Sequence, residues 1–191
     1  HLNAISIPLI SLNVTVPQHT SITIDDERAA YDGTTFLINR GYRHPALVGV
    51  ARHNPQNGIQ RITGYQKALQ AANLPLIPDN IVEGDFSFEA GQQAAKKLLT
   101  GANRPDAIFA ASDDAAAGVL SYAYEHSIKV PDELAVLGFD DSHVAKIVTP
   151  ALTTVKQPFS EMGRMAVEKI MAHSTAENIT VPYRIMERQS V

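Results

Sequence analysis

The feature that most constrains this chain is an alternation of short apolar runs with amphipathic stretches of helical length, punctuated by Gly, Pro and Asn. Runs such as Ala46–Val50 and Ala107–Ala110 are apolar throughout. A strand with no polar alternation must be covered on both faces, and that is how parallel strands read. Parallel neighbours in turn require a crossover, usually a right-handed one through a helix.

The spacing predicts a strand over Ile5–Leu12 and a turn-rich stretch to Thr20, then a helix opened by Asp25-Asp26-Glu27 and stopped at Gly41. It goes on with strand Ala46–Val50, helix Asn57–Asn73, strand Ile81–Glu83, helix Glu89–Leu99, strand Ala107–Ala110, helix Asp114–His126, and strands Glu133–Gly138 and Thr153–Val155. A last helix opens at Pro158, a favoured first-turn residue, and carries Phe159, Met162, Met165, Ala166 and Ile170. Tyr183–Arg188 closes the chain as a strand. The class is α/β, with parallel sheet flanked by helices.

Composition narrows the function. Sixteen Lys and Arg against twenty Asp and Glu give a net charge of −4 with no run of like charge, which makes this chain as it stands a poor nucleic-acid binder. The absence of cysteine excludes disulfides, thiolate nucleophiles and Cys–zinc sites, and fits a reducing cytoplasm. No apolar run approaches the roughly 18 residues of a membrane span. The chain opens on His1-Leu2-Asn3-Ala4 without an initiator Met and reads as a piece of a longer protein.

In an open parallel sheet, ligands sit beyond the carboxyl ends of the strands. The residues found there are Arg61 early in a helix, Gly84-Asp85-Phe86, Ser112-Asp113-Asp114, Asp140-Asp141 and Lys156-Gln157. A guanidinium, an aromatic ring, a hydroxyl, a carboxylate and an amide on one rim suit a small neutral polyol. The carboxylate accepts from adjacent hydroxyls, and the ring covers an apolar C–H face. Each residue also has an ordinary reading: Arg61 as an exposed helix arginine, Phe86 as core, Asp113 or Asp114 as an N-cap, Asp140 and Asp141 as turn residues. The Asp pairs could instead hold a divalent metal, but no phosphate-cradling loop, nucleophile elbow or zinc-binding motif accompanies them. The seven histidines lack metal-ligand spacing.

Several blocks together resemble the LacI/GalR family of bacterial transcription regulators. They are Gly41-Tyr42-Arg43-His44, Arg61-Ile62-Thr63-Gly64-Tyr65, Gly84-Asp85-Phe86, Arg104-Pro105-Asp106-Ala107-Ile108-Phe109, the run from Val130 to Asp141, and the run from Pro150 to Pro158. The resemblance implies a type I periplasmic-binding-protein-like fold of two α/β subdomains with a ligand cleft between them. The N-terminal subdomain would be incomplete here (residues 1–24 and 157–179), the C-terminal one would span 25–156 and 180–191, and the DNA-binding domain would be absent. With partners missing, Phe159, Met162 and Met165 are expected to be partly exposed.

By motif, the resemblance assigns effector binding to Arg61, Phe86, Ser112, Asp140 and Gln157. It assigns a homodimer interface to Ala117, Leu120, Ser121, Tyr124, Val144 and Val148. It implies a cytoplasmic repressor of carbohydrate metabolism that is no enzyme and uses no cofactor or metal. Its effector would be a monosaccharide or derivative, and operator DNA would be met only through the missing domain.

Glu83-Gly84-Asp85-Phe86, Leu74-Pro75 and the ending Arg184–Ser190 resemble one branch in particular, the catabolite control proteins triggered by a phosphorylated carrier protein. Arg61, which that branch usually lacks, favours a small-molecule effector. A periplasmic sugar-binding protein shares the cleft chemistry but not the apolar dimerising helix. A metal-dependent hydrolase using Asp113 and Asp140 is the enzyme alternative.

Overall fold

A computed structural model of the chain describes residues 9–51, 56–101, 103–172 and 175–191. They divide into two compact units, drawn from residues 1–25 with 157–183 and from residues 26–156 with 184–191.

The smaller unit is a three-stranded parallel sheet ordered β1-β2-β8, from Ile10–Leu12, Thr20–Thr23 and Asn178–Thr180, with helix α6 (Phe159–Met171) packed on β1 and β2. Strand β1 is shorter than the strand expected over Ile5–Leu12, whose first four residues lie outside the described ones. Sequence reading missed β2 and β8, because three or four residues rich in Thr and Asn carry too little apolar period to separate from a turn. On α6, Phe159 is exposed and Met165 half-buried as expected, but Met162 is wholly buried. That corrects the expectation for Met162.

The larger unit holds a six-stranded sheet ordered β4-β3-β5-β6-β7-β9, comprising β3 (Pro45–Val50), β4 (Ile81–Glu83), β5 (Ala107–Ala110), β6 (Ala135–Asp140), β7 (Thr153–Lys156) and β9 (Arg184–Met186). Five strands run parallel and β9 pairs antiparallel with β7. The sheet is thus parallel except at this edge. Strand β9 follows β8 without a crossover helix of its own, so the crossover rule does not set its direction.

Helices α1 (Asp26–Asn39) and α2 (Gly58–Ala71) pack as one pair, and α3 (Phe88–Leu99) and α4 (Asp113–Glu125) as another. Strand residues of even number, Ala46, Val48, Ile108, Ala110 and Val136, join the core beneath α3 and α4. Odd-numbered Phe109 and Leu137 instead meet α1 at Gly33. The period of two thus assigns the helix pairs to opposite faces. Tyr65, wholly buried, fastens α2 to the start of β3 by donating its hydroxyl to the Pro45 carbonyl at 2.8 Å.

Two local readings are corrected. The N-cap of α4 is Ser112, not Asp113 or Asp114: its hydroxyl accepts from the Ala115 amide at 3.0 Å. Ser112 has extended backbone and so can reach back to that amide, while Asp113 becomes the first helical residue and is buried. Strand β6 runs two residues later than expected, because the amides of Glu133 and Leu134 both close a turn on the Lys129 carbonyl. A one-turn helix, α5 (Val144–Ile147), stands in the segment after β6.

Candidate effector site

The carboxyl ends of β3 to β7 form one rim of the larger unit, and the loop after β4 is folded across it. The Gly84 amide donates to Val50 O at 2.9 Å, and the Phe86 amide to Gly49 O at 3.1 Å. Phe86 is half-buried with φ of +68°, a backbone conformation uncommon for a bulky residue. Ser112 helps hold it there by donating its hydroxyl to the Phe86 carbonyl at 2.6 Å. With the Ala115 amide also on it, that hydroxyl keeps one acceptor lone pair.

Arg61 occupies the first turns of α2 and is buried, with 4 % of its surface exposed, so it is not the ordinary exposed arginine. Its Nε donates to Asp26 Oδ1 at 2.7 Å, and its Nη1 donates to the Ala111 carbonyl. The guanidinium carbon lies 3.6 Å from the centre of the Phe139 ring and 5.8 Å from that of Phe86. Stacking of a weakly hydrated planar cation on rings is a usual way to hold a buried arginine. Arg61, Phe86 and Ser112 are thus drawn together around the ends of β3 and β5.

Asp140 ends β6, one residue beyond Phe139, and is half-buried. Its φ of +120° and that of Asp141, +56°, are both in the left-handed region. Outliers of this kind concentrate where the surroundings over-determine the backbone, and those surroundings can be traced. Asp113 accepts from the Ser142 amide and from Thr154 Oγ1, each at 2.6 Å. Asp141 accepts from Arg188 at 2.5 Å and faces Lys156 Nζ at 3.5 Å. The turn that carries Asp140 is therefore held from α4, β7 and the chain's last segment. Burial pushes the Asp113 carboxyl up from its ordinary value, against the two hydrogen bonds from Thr154 and Ser142 that pull it down.

Gln157 belongs to the smaller unit and is buried. Of the residues expected at a dimer interface, Ala117, Ser121, Val144 and Val148 are half-buried and Tyr124 is 85 % exposed. Leu120 differs from the rest: it lies in the core beneath α4. Ile147, not singled out by sequence, is 62 % exposed on α5. Among the described residues no cluster of acidic residues and histidines fits a metal ion. Of the paired carboxylates, Asp113 is engaged by Thr154 and Ser142, and Asp141 by Arg188 and Lys156.

Sequence reading missed two groups that build this rim. Asp26 reads as a helix-start residue, and nothing local to it announces Arg61, thirty-five residues away. Phe139 reads as one more apolar residue of a buried strand, and its ring becomes a platform only through the fold.

Residues 34–191 match the periplasmic binding protein-like domain family. The chain is 35% identical over 178 residues to catabolite control protein A of Priestia megaterium, covering 91% of this chain and 54% of that protein. Among solved structures it resembles a transcription regulator from Lactobacillus plantarum, with a TM-score of 0.89 and 32% identity over 95% of this chain and 71% of that one. It also resembles the regulator CelR in complex with cellobiose, with a TM-score of 0.84 and 30% identity over 95% of this chain and 58% of that one. The chain spans about half the length of the curated relatives it matches. Those relatives are transcriptional regulators rather than enzymes. Two α/β units built on mostly parallel sheets, the match across residues 34–191 and these relatives together assign the chain to the LacI/GalR family of transcription regulators, as a carrier of its periplasmic-binding-protein-like domain.

Proposed function

We propose that this chain is the ligand-sensing domain of a LacI/GalR-type repressor of carbohydrate metabolism, with a small sugar-like effector bound at the rim of the larger unit. The observation that carries this reading is the buried Arg61 guanidinium, stacked on Phe139 and close to Phe86 beyond the strand ends. In this reading Arg61 donates to ring or hydroxyl oxygens, Phe86 covers an apolar face, Asp140 accepts from hydroxyls and Ser112 offers its last lone pair. Gln157, of the smaller unit, contributes its amide, as the family resemblance implies. The two compact units correspond to those subdomains, the smaller to the N-terminal one.

Operator DNA is met through a domain outside this sequence, and a homodimer forms through the exposed side of α4 and α5. The effector acts by binding one arrangement of the subdomains better than the other, since only differential affinity shifts an equilibrium.

Calorimetric titration with neutral monosaccharides and disaccharides, sugar phosphates and purines, beside Arg61→Ala and Asp140→Ala, tests this. Saturable binding of one compound, lost in both variants, is the expected result. Silence across the panel favours a second reading, a regulator triggered by a phosphorylated carrier protein, which the similarity to catabolite control protein A supports. Titration with such a carrier then decides between them.

A further inference from the structure

We infer that Asp26 sets the charge specificity of the effector site: it neutralises Arg61 in place, so that the arginine serves neutral, hydroxyl-rich ligands and not anions. The inference rests on the effector reading above, and adds to it the residue that decides which charge class is accepted.

An arginine facing a ligand pocket would by itself be an anion receptor, with a planar fork matched to carboxylate and phosphate. Here the fork is already engaged. Asp26 Oδ1 holds Nε at 2.7 Å, with the two side chains 5 % and 4 % exposed, and the Ala111 carbonyl holds Nη1. A buried cation needs a counter-ion, because desolvation without one costs more than a protein tolerates. Asp26 is also the first residue of α1, where the helix dipole favours a negative charge, so its place suits a carboxylate on two counts.

The pair leaves Arg61 with free N–H donors but little net field. The other described cations near this rim, Lys156 and Arg188, are both engaged by Asp141. Asp140 adds a further carboxylate. A phosphate or carboxylate brought to Arg61 would meet a cation already matched by the Asp26 carboxylate, 2.7 Å from its Nε, and like charges set against each other at a binding face are strongly unfavourable. A neutral hydroxyl accepts the remaining N–H donors without that penalty.

Inorganic phosphate is a suitable probe, since it needs no knowledge of the effector. It is titrated by calorimetry, at constant ionic strength, into the whole chain, into Asp26→Asn and into Asp26→Asn with Arg61→Gln. The wild type should give no saturable heat attributable to Arg61, Asp26→Asn should gain a phosphate site at least about tenfold tighter, and the double variant should lose it. Repeating the series in an Arg52→Gln background separates any contribution of that cation, which follows β3 in sequence. An Asp26→Asn variant that binds phosphate no better than wild type would overturn the inference, as would a wild-type site abolished by Arg61→Gln.

If Asp26→Asn does not fold, the wild type alone decides through matched pairs such as glucose with glucose 6-phosphate and adenosine with its monophosphate. Preference for the anionic member, lost in Arg61→Gln, refutes the inference. Preference for the neutral member supports it. A gain of phosphate binding in Asp26→Asn beside a silent sugar panel would sink the effector reading and leave the role of Asp26 standing.

Discussion

Asp113 and Ser112 show how adjacent residues divide the work of the rim. Ser112 caps α4 and fastens the Phe86 carbonyl with one hydroxyl. Ser112→Ala should cost about 1–2 kcal/mol, and Ser112→Asn, which can cap and donate, should retain most of it; urea unfolding measures both. Asp113 is a buried carboxyl whose pKa is raised chiefly by desolvation. Between the ordinary value of 3.8 and its raised value, the native chain keeps a proton that the unfolded chain has released. Its contribution to stability therefore falls as pH rises through that interval and is flat above it. Subtracting the unfolding free energy of Asp113→Asn from that of wild type should give a difference that declines from about pH 4 upward. A difference that grows over the same range would mean that the Thr154 and Ser142 hydrogen bonds outweigh burial.

At the scale of elements, both helix pairs cross where a glycine lets backbones touch. A Cβ on Gly64 of α2 would lie 2.1 Å from the Glu27 carbonyl oxygen of α1, and one on Gly118 of α4 would lie 2.0 Å from that of Phe88 in α3. Gly163 in α6 has nothing within 4 Å of the same position. Alanine at Gly64 or Gly118 should thus destabilise by about 1–3 kcal/mol or more through overpacking. At Gly163 it should stabilise by about 0.5–1 kcal/mol, the ordinary gain over glycine in a helix. Urea midpoints with unchanged slopes would register both signs. A loss at all three positions would show that helix propensity, not close approach, is the wrong account at Gly163.

For the whole molecule, the exposed side of α4 and α5 is the surface that the proposed homodimer uses. Tyr124 and Ile147 expose 85 % and 62 % of their surface, so neither contributes much to the stability of one chain. Changing both to Glu should convert a dimer to a monomer in sedimentation velocity, while the unfolding free energy, compared at a concentration low enough for the wild type to be monomeric, stays within about 0.5 kcal/mol of wild type. Dimers persisting in the double variant would place the interface elsewhere. Leu120, packed in the core, is the wrong residue for that test, since its truncation would lower stability by about 2–5 kcal/mol whatever the oligomeric state.

Much of this fold was legible because its signals are local. An unbroken apolar run such as Ala107–Ala110 marks a doubly covered strand, and the gaps between runs have the length of crossover helices, so the α/β class and the rim follow without any contact known. Strands β2 and β8 were not legible, because their few polar residues become strands only once β1 and α6 give them something to pair with and cover. The antiparallel entry of β9 is likewise a matter of where the chain returns from. Within the site, Arg61, Phe86 and Asp140 could be picked by motif and position after strands. What engages them could not: Asp26 meets Arg61 across 35 residues, Thr154 meets Asp113 across 41, and Arg188 meets Asp141 across 47. Periodicity reports which face of an element is apolar. The partner of a buried charge is decided only when separate elements converge, because desolvation requires a counter-charge but leaves open which distant residue supplies it.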